Sequence, residues 1–419
     1  MYRRKKYLDK IYKSLKKEKL ILLLWTRQVW KTTILETLKK ELIWKVYFYS
    51  FEDDFFQQEF ESKQNFIDYF SLKLWIDFYK KWFFLIDEFQ YVNNWEKILK
   101  SIYDDKNIKL KLIVTGSWLW TYWEKNKWTL VWRWEEIFIY QFDFFEFLEF
   151  KWLNTEIISF SNIKDSTNSI IIPYFNEFIN FWWYPAVVKT KTKDQKIIEL
   201  EKIITRYIDR DISFFIEKNE IINFKIFFMY LHTQIWNLIK KEAISKYLWI
   251  KIKHIEKYLT LLEKTMFISR VYPFFRKKSK EYSCLPKFYF TDVWILNFLE
   301  KSFDFRENNW RVIENFVFNE LEKNKYFNSD QIKIYKKITK SEIDFIYDWL
   351  KKMVPIEVKS WNKKNIPKIF SSFEKDYNKL TDLYIITTSN LSKKLDIDWK
   401  KVFFIPNYFI WKMIEKINL

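Results

Sequence analysis

Residues 25–33 have the order and spacing of a loop that binds phosphate groups. The stretch LWTRQVWKTT would read LGTRQVGKTT if glycine stood at positions 25 and 30. In a loop of the form G-x-x-x-x-G-K-T, backbone N–H groups at a helix N-terminus surround the phosphates. The lysine reaches the β- and γ-phosphates, and the hydroxyl of the next residue holds Mg²⁺. The candidate residues for binding ATP and Mg²⁺ are Trp25, Thr26, Arg27, Gln28, Val29, Trp30, Lys31, Thr32 and Thr33.

Apolar runs near this loop supply the elements that would position it. Residues 20–24 form a continuous apolar run, as expected of a buried parallel strand. Residues 33–42 have helical periodicity, with lysines late in the helix, where they favour its dipole. A later apolar run, residues 82–86, ends in Asp87 and Glu88. At the end of a neighbouring buried strand, Asp87 would support Mg²⁺ and Glu88 would polarise the attacking water.

Four runs together resemble a large group of bacterial and archaeal AAA-type ATPases: LWTRQVWKTTIL, FFLIDEFQYVNNWEK, LIVTGS and TLVWRWEEIFIYQFDFFEFLEF. The resemblance extends over nearly the whole chain, through FWWYPAVV, YIDRDI and YFTDVWIL. It implies ATP hydrolysis, with Ser117 as a γ-phosphate sensor after the strand predicted at residues 110–114. It also makes Arg133 a candidate phosphate-sensing arginine, for which a plain surface arginine is the alternative.

The chain has one glycine and 23 tryptophans, whereas glycine usually makes up about 7% of a protein. Our hypothesis is that UGA codons that mean glycine in the source genome were translated as tryptophan. The alternative is a protein rich in genuine tryptophan. Five tryptophans stand where the resembled family has glycine: Trp25, Trp30, Trp132, Trp182 and Trp183. Trp249 and Trp294 also suit glycine, whereas Trp95 stands where the family often has tryptophan. Taken literally, Trp25 and Trp30 would fill the phosphate space and weaken ATP binding.

Composition bounds the remaining possibilities. The net charge is +19, which favours a nucleic-acid partner but also follows from a genome rich in A/T codons, and both interpretations stay open. The lone Cys284 suits a reducing cytoplasm. No apolar run approaches the roughly 18 residues of a membrane helix. The apolar stretch nearest the basic N-terminus is too short for a signal peptide. We therefore expect a cytoplasmic protein without a membrane partner, and the sequence leaves its oligomeric state open.

The middle of the chain has a pattern typical of a winged helix. Residues 242–248 and 251–262 can form two helices around a turn at Trp249, and residues 266–272 can form a strand. The second helix is basic, so either DNA contact or an interdomain packing role is expected. Its candidate residues are Lys251, Lys253, His254 and Lys257. Neither histidine has metal-binding neighbours in the sequence, which argues against a zinc site.

The last third contains an acid followed at a distance by E-x-K. Residues 341–348 and 353–360 read as two strands, which place Asp344 on the first and Glu357 with Lys359 on one face of the second. Asp344 and Glu357 would bind a divalent metal, and Glu314, near the start of a helix, would complete the acids. Lys359 would activate water or steady the transition state. The resembled family ends in a domain of unknown function with a nuclease-like core, which serves either for cleavage or for binding alone.

The predicted fold class is α/β, with a P-loop NTPase parallel sheet, a helical and winged-helix region, and a C-terminal α/β nuclease-like domain. The predicted domains span residues 1–150 (ATPase), 151–225 (helical connection), 226–300 (winged-helix-like) and 301–419 (restriction-endonuclease-like). The expected function is ATP hydrolysis that couples nucleotide state to a nucleic-acid-binding or nuclease-like half. The alternative is a DNA-binding or protein-interaction module that senses nucleotide without hydrolysing it.

Overall fold

A computed structural model of the 419-residue chain describes most of the sequence. The described residues are 2–25, 31–51, 60–116, 134–155, 165–181, 187, 190–275, 281, 283–303, 309–325, 331–336, 341–349, 352–359, 366–377, 382–388, 393–397 and 400–418. The chain divides into two compact units, Met1–Gln141 and Phe142–Leu419. Among the described residues, no helix has the length and apolar character needed to cross a membrane.

The first unit is a five-stranded parallel sheet with helices on its faces. The strand order is β2-β3-β4-β1-β5, and every pairing is parallel. The strands are β1 (Leu20–Trp25), β2 (Val46–Ser50), β3 (Phe83–Asp87), β4 (Lys111–Gly116) and β5 (Glu135–Ile139). The helices are α1 (Lys5–Lys17), α2 (Lys31–Glu41), α3 (Lys63–Leu74) and α4 (Trp95–Asp104).

The sequence explains why this sheet forms. Strands β1, β3 and β4 are aliphatic or aromatic on both faces, as required of strands covered by helices on both sides. One core layer joins α1, α2 and the sheet through side chains such as Leu8, Ile11, Leu38 and Ile113. The predicted P-loop NTPase sheet is therefore confirmed, and all of its strands end at one edge, the carboxyl edge, and begin at the opposite edge, the amino edge.

The second unit begins with helices and a two-stranded sheet. The helices are α5 (Phe144–Phe150), α6 (Asp165–Phe181), α7 (Lys193–Arg206), α8 (Ile221–Tyr230), α9 (Lys241–Leu248), α10 (Ile252–Lys264) and α11 (Val293–Leu299). A π-helical segment, Tyr207–Ile212, continues α7. Strands β6 (Ile268–Val271) and β7 (Lys287–Phe290) pair antiparallel. Helix α9, the turn at Trp249, helix α10 and strand β6 occur in the order that the sequence predicts.

A mixed six-stranded sheet completes the second unit, in the order β12-β13-β11-β10-β9-β8. Its strands are β8 (Ile332–Lys336), β9 (Glu342–Trp349), β10 (Lys352–Lys359), β11 (Leu383–Thr387), β12 (Lys393–Ile397) and β13 (Lys400–Pro406). Helices α12 (Trp310–Lys323), α13 (Ile369–Asp376) and α14 (Ile410–Asn418) accompany it. Strands β9 and β10 are antiparallel, whereas β10, β11 and β13 run parallel. Helix α12 is buried almost throughout.

Candidate functional site

The phosphate-loop sequence lies where strand β1 gives way to helix α2. Strand β1 ends at Trp25 and α2 begins at Lys31, so the chain has the strand-loop-helix order that such a loop needs. Residues 26–30 lie outside the described residues, and so do the side chains of Trp25, Lys31 and Thr32. The described backbone places the N-terminus of α2 at the carboxyl edge of the sheet, where the dipole of the helix favours an anion.

Asp87 is the last residue of β3, and two donors orient its carboxylate. The hydroxyl of Thr115, on the neighbouring strand β4, donates to Asp87 Oδ1. The backbone N–H of Glu88 donates to the same oxygen at 2.9 Å. Both Asp87 and Thr115 are buried, with 6% and 0% of their surface exposed. A carboxylate fixed in this way at the carboxyl edge meets the requirement for a Mg²⁺ ligand beside a phosphate loop.

Glu88 follows Asp87 in a left-handed conformation, with φ 54° and ψ 43°. This backbone geometry turns the chain sharply at the end of the strand, into the short helical turn Phe89–Tyr91. The buried side chain of Gln90 donates from Nε2 to Glu88 Oε2. Non-glycine residues in this region of φ and ψ occur often at functional sites. Glu88 is therefore a partly exposed carboxylate with a fixed orientation beside the buried Asp87.

Sequence reasoning missed Thr115 and Gln90. A polar residue inside the aliphatic strand LIVTG is a usable signal for Thr115, because a buried hydroxyl needs a hydrogen-bond partner. Gln90 gives no comparable signal. The predicted sensors Ser117 and Arg133 both lie outside the described residues.

In the second unit, the predicted acidic residues come together on three elements. Glu314 lies on α12, Asp344 on β9, and Glu357 with Lys359 on β10. The antiparallel pairing of β9 with β10 brings the two strands side by side, and Val358 N–H donates to Asp344 Oδ2 at 2.8 Å. Lys359 Nζ forms an ion pair with Glu357. We call Glu314, Asp344, Glu357 and Lys359 the acid cluster.

Burial raises the pKa of each carboxyl group in the acid cluster. Burial first, and then repulsion by Asp344, raises the pKa of Glu314 to about 8. The same two causes raise the pKa of Glu357 to about 8, against the opposing effect of Lys359. Burial also raises the pKa of Asp344 to about 6. Carboxyl groups that crowd together in a site of low polarity cannot all be ionised unless a cation joins them.

Three further residues lie at the acid cluster: Lys287, Tyr289 and Glu342. The sequence placed Glu342 on the strand face of Asp344 but did not point to the other two. Tyr289 donates its hydroxyl to Glu314 Oε1 at 2.7 Å, and Lys287 Nζ lies 3.0 Å from Glu342 Oε1. Burial opposes the charge on Lys287, but the negative charges of Glu314 and Glu342 outweigh it and raise the pKa of the lysine. Lys287 and Tyr289 come from strand β7, which is distant in sequence from the acids, so no local pattern connects them.

The carboxylates of the acid cluster do not converge as a set of metal ligands. Within the described part of the chain, no three Asp, Glu, His or Cys side chains are grouped so that they could hold a metal ion. The Oε2 atom of Glu357 is buried without a hydrogen-bond partner. The metal-binding role of Glu314, Asp344 and Glu357 thus stays a prediction, and it requires these side chains to rotate toward one another.

The basic side chains of α10 are only partly available for DNA. Lys251 and Lys253 are exposed. His254 and Lys257 instead contact Glu220, at 2.8 Å from Nδ1 and 2.6 Å from Nζ. These contacts favour the packing role for the second half of this face, because basic side chains that are already paired with a carboxylate contribute less to phosphate binding.

Comparisons with known proteins find three matched segments in this chain. Residues 17–148 match the family described as AAA domain, and residues 173–306 and 311–408 match two families described as domains of unknown function, DUF8612 and DUF4143. Residues 17–148 are thus similar to AAA-type domains, and two later segments are similar to families without known function. An uncharacterized protein of Methanocaldococcus jannaschii is 28% identical over 379 residues, which cover 84% of this chain and 80% of the relative.

Two solved structures are similar to this chain at low sequence identity. A Walker-type ATPase of Pyrococcus abyssi is 14% identical, with a TM-score of 0.46, over 72% of this chain and 96% of its own. The RuvB Holliday junction branch migration motor of Thermotoga maritima is 14% identical, with a TM-score of 0.28, over 64% of this chain and 90% of its own.

Proposed function

We propose that this protein binds and hydrolyses ATP at the carboxyl edge of the first unit. The observation that carries the proposal is the arrangement of Asp87, Glu88 and Thr115 at the same edge of the sheet as the start of α2. Thr32 and Asp87 would hold Mg²⁺, which neutralises phosphate charge when it is bound. Glu88, which Gln90 orients, would accept a proton from the attacking water.

The proposal includes the hypothesis that the protein made in the cell has glycine at positions 25 and 30. Support comes from tryptophans elsewhere in the chain that occupy backbone positions typical of glycine. Among the described residues, eight non-glycine residues have positive φ, and four of them are tryptophans: Trp75, Trp152, Trp236 and Trp249. A side chain with Cβ costs roughly 1–2 kcal/mol in this conformation, whereas glycine does not.

Three of these tryptophans also lie one or two residues after the end of a helix, where glycine commonly ends a helix. Trp75 follows α3, Trp152 follows α5 and Trp249 follows α9. Their side chains are 83%, 90% and 94% exposed, so the indole rings add little packing. By contrast, Trp95 is buried at the start of α4, as expected of a genuine tryptophan. Trp294 is buried within α11 on helical backbone, so the expectation of glycine there gains no support from its conformation.

Two experiments test this proposal. The codons at 25, 30, 75, 152 and 249 should be UGA, and UGG at these positions would end the glycine interpretation. The chain with glycine at the recoded positions should hydrolyse ATP, and Glu88→Gln should lower turnover by about 10²–10⁴-fold while sparing ATP binding. Glu36→Gln, an exposed change on α2, is the matched control. Equal turnover in both variants would remove Glu88 from the mechanism, and turnover no higher than background in the parent would favour the alternative of a nucleotide sensor without hydrolysis.

As a second function, we propose that the acid cluster supports metal-dependent cleavage of a phosphodiester. The buried, unsatisfied Oε2 of Glu357 favours it, because an unpaired carboxylate oxygen beside other acids is suited to a cation. Lys359, paired with Glu357, would steady the charge of the transition state.

The test is cleavage of DNA and RNA substrates with Mg²⁺ or Mn²⁺. Lys359→Ala should reduce cleavage at least about 100-fold, and Lys375→Ala, an exposed change on α13, should not. The absence of cleavage across single- and double-stranded substrates would leave a binding role for this domain.

A further inference from the structure

The amino edge of the first sheet carries a row of lysines, on the side opposite the phosphate loop. Strands β2, β3 and β4 begin in register, since Val46 pairs with Phe83 and Phe83 with Lys111. Hydrogen bonds continue this row across four strands, from Phe83 N to Lys45 O, from Lys111 N to Trp82 O and from Leu112 N to Lys19 O, each at 2.9 Å. Side chains just before these strands therefore share one surface about 14 Å wide, given roughly 4.8 Å between strands.

Lysines outnumber acids on this surface. The segments 16–19, 45, 77–82 and 104–111, which lead into the four strands, contain nine lysines: Lys16, Lys17, Lys19, Lys45, Lys80, Lys81, Lys106, Lys109 and Lys111. Four acids lie in the same segments: Glu18, Asp77, Asp104 and Asp105.

Neighbouring lysines already form ion pairs with Asp77 and Asp105. Lys80 lies 3.5 Å from Asp77, and Lys63 of α3 lies 2.5 Å from Asp105. Lys19 donates to the carbonyls of Ile102 and Asp105 at the end of α4. It also interacts electrostatically with the carboxylates of Asp104 and Asp105.

The remaining lysines project into solvent. Lys16, Lys17, Lys81, Lys106 and Lys109 are all exposed, and none of them makes an ion pair within the described part of the chain. The apolar residues of α1 pack into the core, with Leu8 1% and Ile11 0% exposed, so this helix has no apolar face left for a membrane. Protein interfaces usually have an apolar centre and few lysines. Lysines predominate on this surface, and its exposed apolar side chains include Ile43 and Trp44, just before β2.

We propose that the amino edge binds the phosphate backbone of a nucleic acid without regard to sequence. A polyanion with regularly spaced charges fits a row of unpaired ammonium groups, which release its counterions on binding. The surface is separate from the predicted α10 face, where Glu220 occupies two of the four basic groups. It is also a strand length away from the nucleotide site, about 15–20 Å. The ATPase unit itself would thus hold the nucleic acid, and this inference does not depend on ATP hydrolysis.

The test compares two triple variants with the same change in charge. Both are made in the full chain with glycine at positions 25 and 30. One variant carries Lys17→Gln, Lys81→Gln and Lys109→Gln at the amino edge. The control carries Lys5→Gln, Lys97→Gln and Lys193→Gln, all exposed and outside the edge. The probe is a fluorescent 30-base-pair duplex of mixed sequence, titrated at several salt concentrations. The edge variant should bind about 10–100-fold more weakly at 50 mM salt, and its salt slope should fall by roughly 2–3, near 0.9 per lost contact.

Three outcomes would overturn the proposal. The two triple variants could lose affinity equally, the parent could fail to bind the duplex, or the edge changes could abolish binding to anionic lipid vesicles while sparing the duplex. Circular dichroism and ATP turnover equal to those of the parent would show that the edge variant is folded, because its changes lie away from the phosphate loop.

Discussion

The carboxylates of the two units are held in opposite ways. In the first unit, Asp87 accepts an O–H from Thr115 and an N–H from Glu88, so its orientation is fixed by neutral donors. In the second unit, Glu314, Asp344 and Glu357 crowd together in a buried site that raises the pKa of each. The first arrangement is ready for a ligand, whereas the second is stable only with bound protons or a cation. This difference makes separate predictions for the two units.

The largest expected effect is the pH dependence that Glu314 gives to stability. Its pKa in the folded chain is about 8, above the ordinary value of 4.5. Between these values the folded state retains a proton that the unfolded chain has lost, so stability falls as pH rises from about 4.5 to 8. Glu314→Gln should remove much of this fall, on the order of a few kcal/mol. Urea unfolding of the full chain at pH 5 and pH 8 measures it.

Glu374→Gln, an exposed change on α13, is the control for this prediction. If both variants keep the pH slope of the parent, Glu314 is ionised in the folded chain at neutral pH and the two units do not differ in this respect. Addition of Mn²⁺ at pH 8 sharpens the comparison, because a cation bound by the acid cluster should raise the unfolding midpoint of the parent and leave Glu357→Gln little changed.

Local sequence patterns were sufficient for the residues that lie at the ends of strands. Lys31 begins α2, and Asp87 ends β3, because an apolar run followed by polar residues marks where a buried strand stops. The spacing between Asp344 and Glu357 likewise predicted two adjacent strands. In contrast, Thr115 lies 28 residues from Asp87, and Tyr289 lies 25 residues from Glu314. Such contacts depend on tertiary packing, which periodicity does not encode.

The second prediction concerns the donor that orients Asp87. Thr115→Val keeps the shape of the buried side chain but removes its O–H, which leaves a carboxylate oxygen of Asp87 with one donor fewer. The expected loss is about 1–3 kcal/mol of unfolding free energy. ATP turnover should fall at least about tenfold, because the Mg²⁺ ligand is less well positioned. Thermal unfolding and steady-state hydrolysis measure the two effects.

Thr37→Val is the matched control, since Thr37 donates only to the carbonyl of Thr33 within α2. Its effect on stability should stay within about 0.5 kcal/mol. If the two valine variants behave alike, the hydroxyl of Thr115 does not orient Asp87, and the carboxylate of the first unit is not prepared in advance of its ligand.

The smallest expected effect concerns Trp75, whose backbone conformation and side chain contribute separately to stability. Trp75 ends α3 with φ 58°, and its backbone carbonyl accepts a hydrogen bond from the hydroxyl of Tyr47 at 3.0 Å. Trp75→Gly keeps this hydrogen bond and relieves the left-handed strain. We expect a gain of about 1 kcal/mol in unfolding free energy, measured by urea unfolding. Trp95→Gly, by contrast, should cost several kcal/mol, about 3–5 for a buried tryptophan.

Trp75→Ala decides the cause of that gain. Alanine removes the exposed indole just as glycine does, but its Cβ keeps the steric conflict of a left-handed residue. If the backbone is responsible, alanine should be close to the parent and glycine should be more stable. If alanine stabilises as much as glycine, the gain comes from losing an exposed apolar ring, and the conformation of Trp75 no longer supports glycine at this position. The same pair of substitutions at Trp249, which ends α9 with φ 57°, repeats the comparison in the second unit.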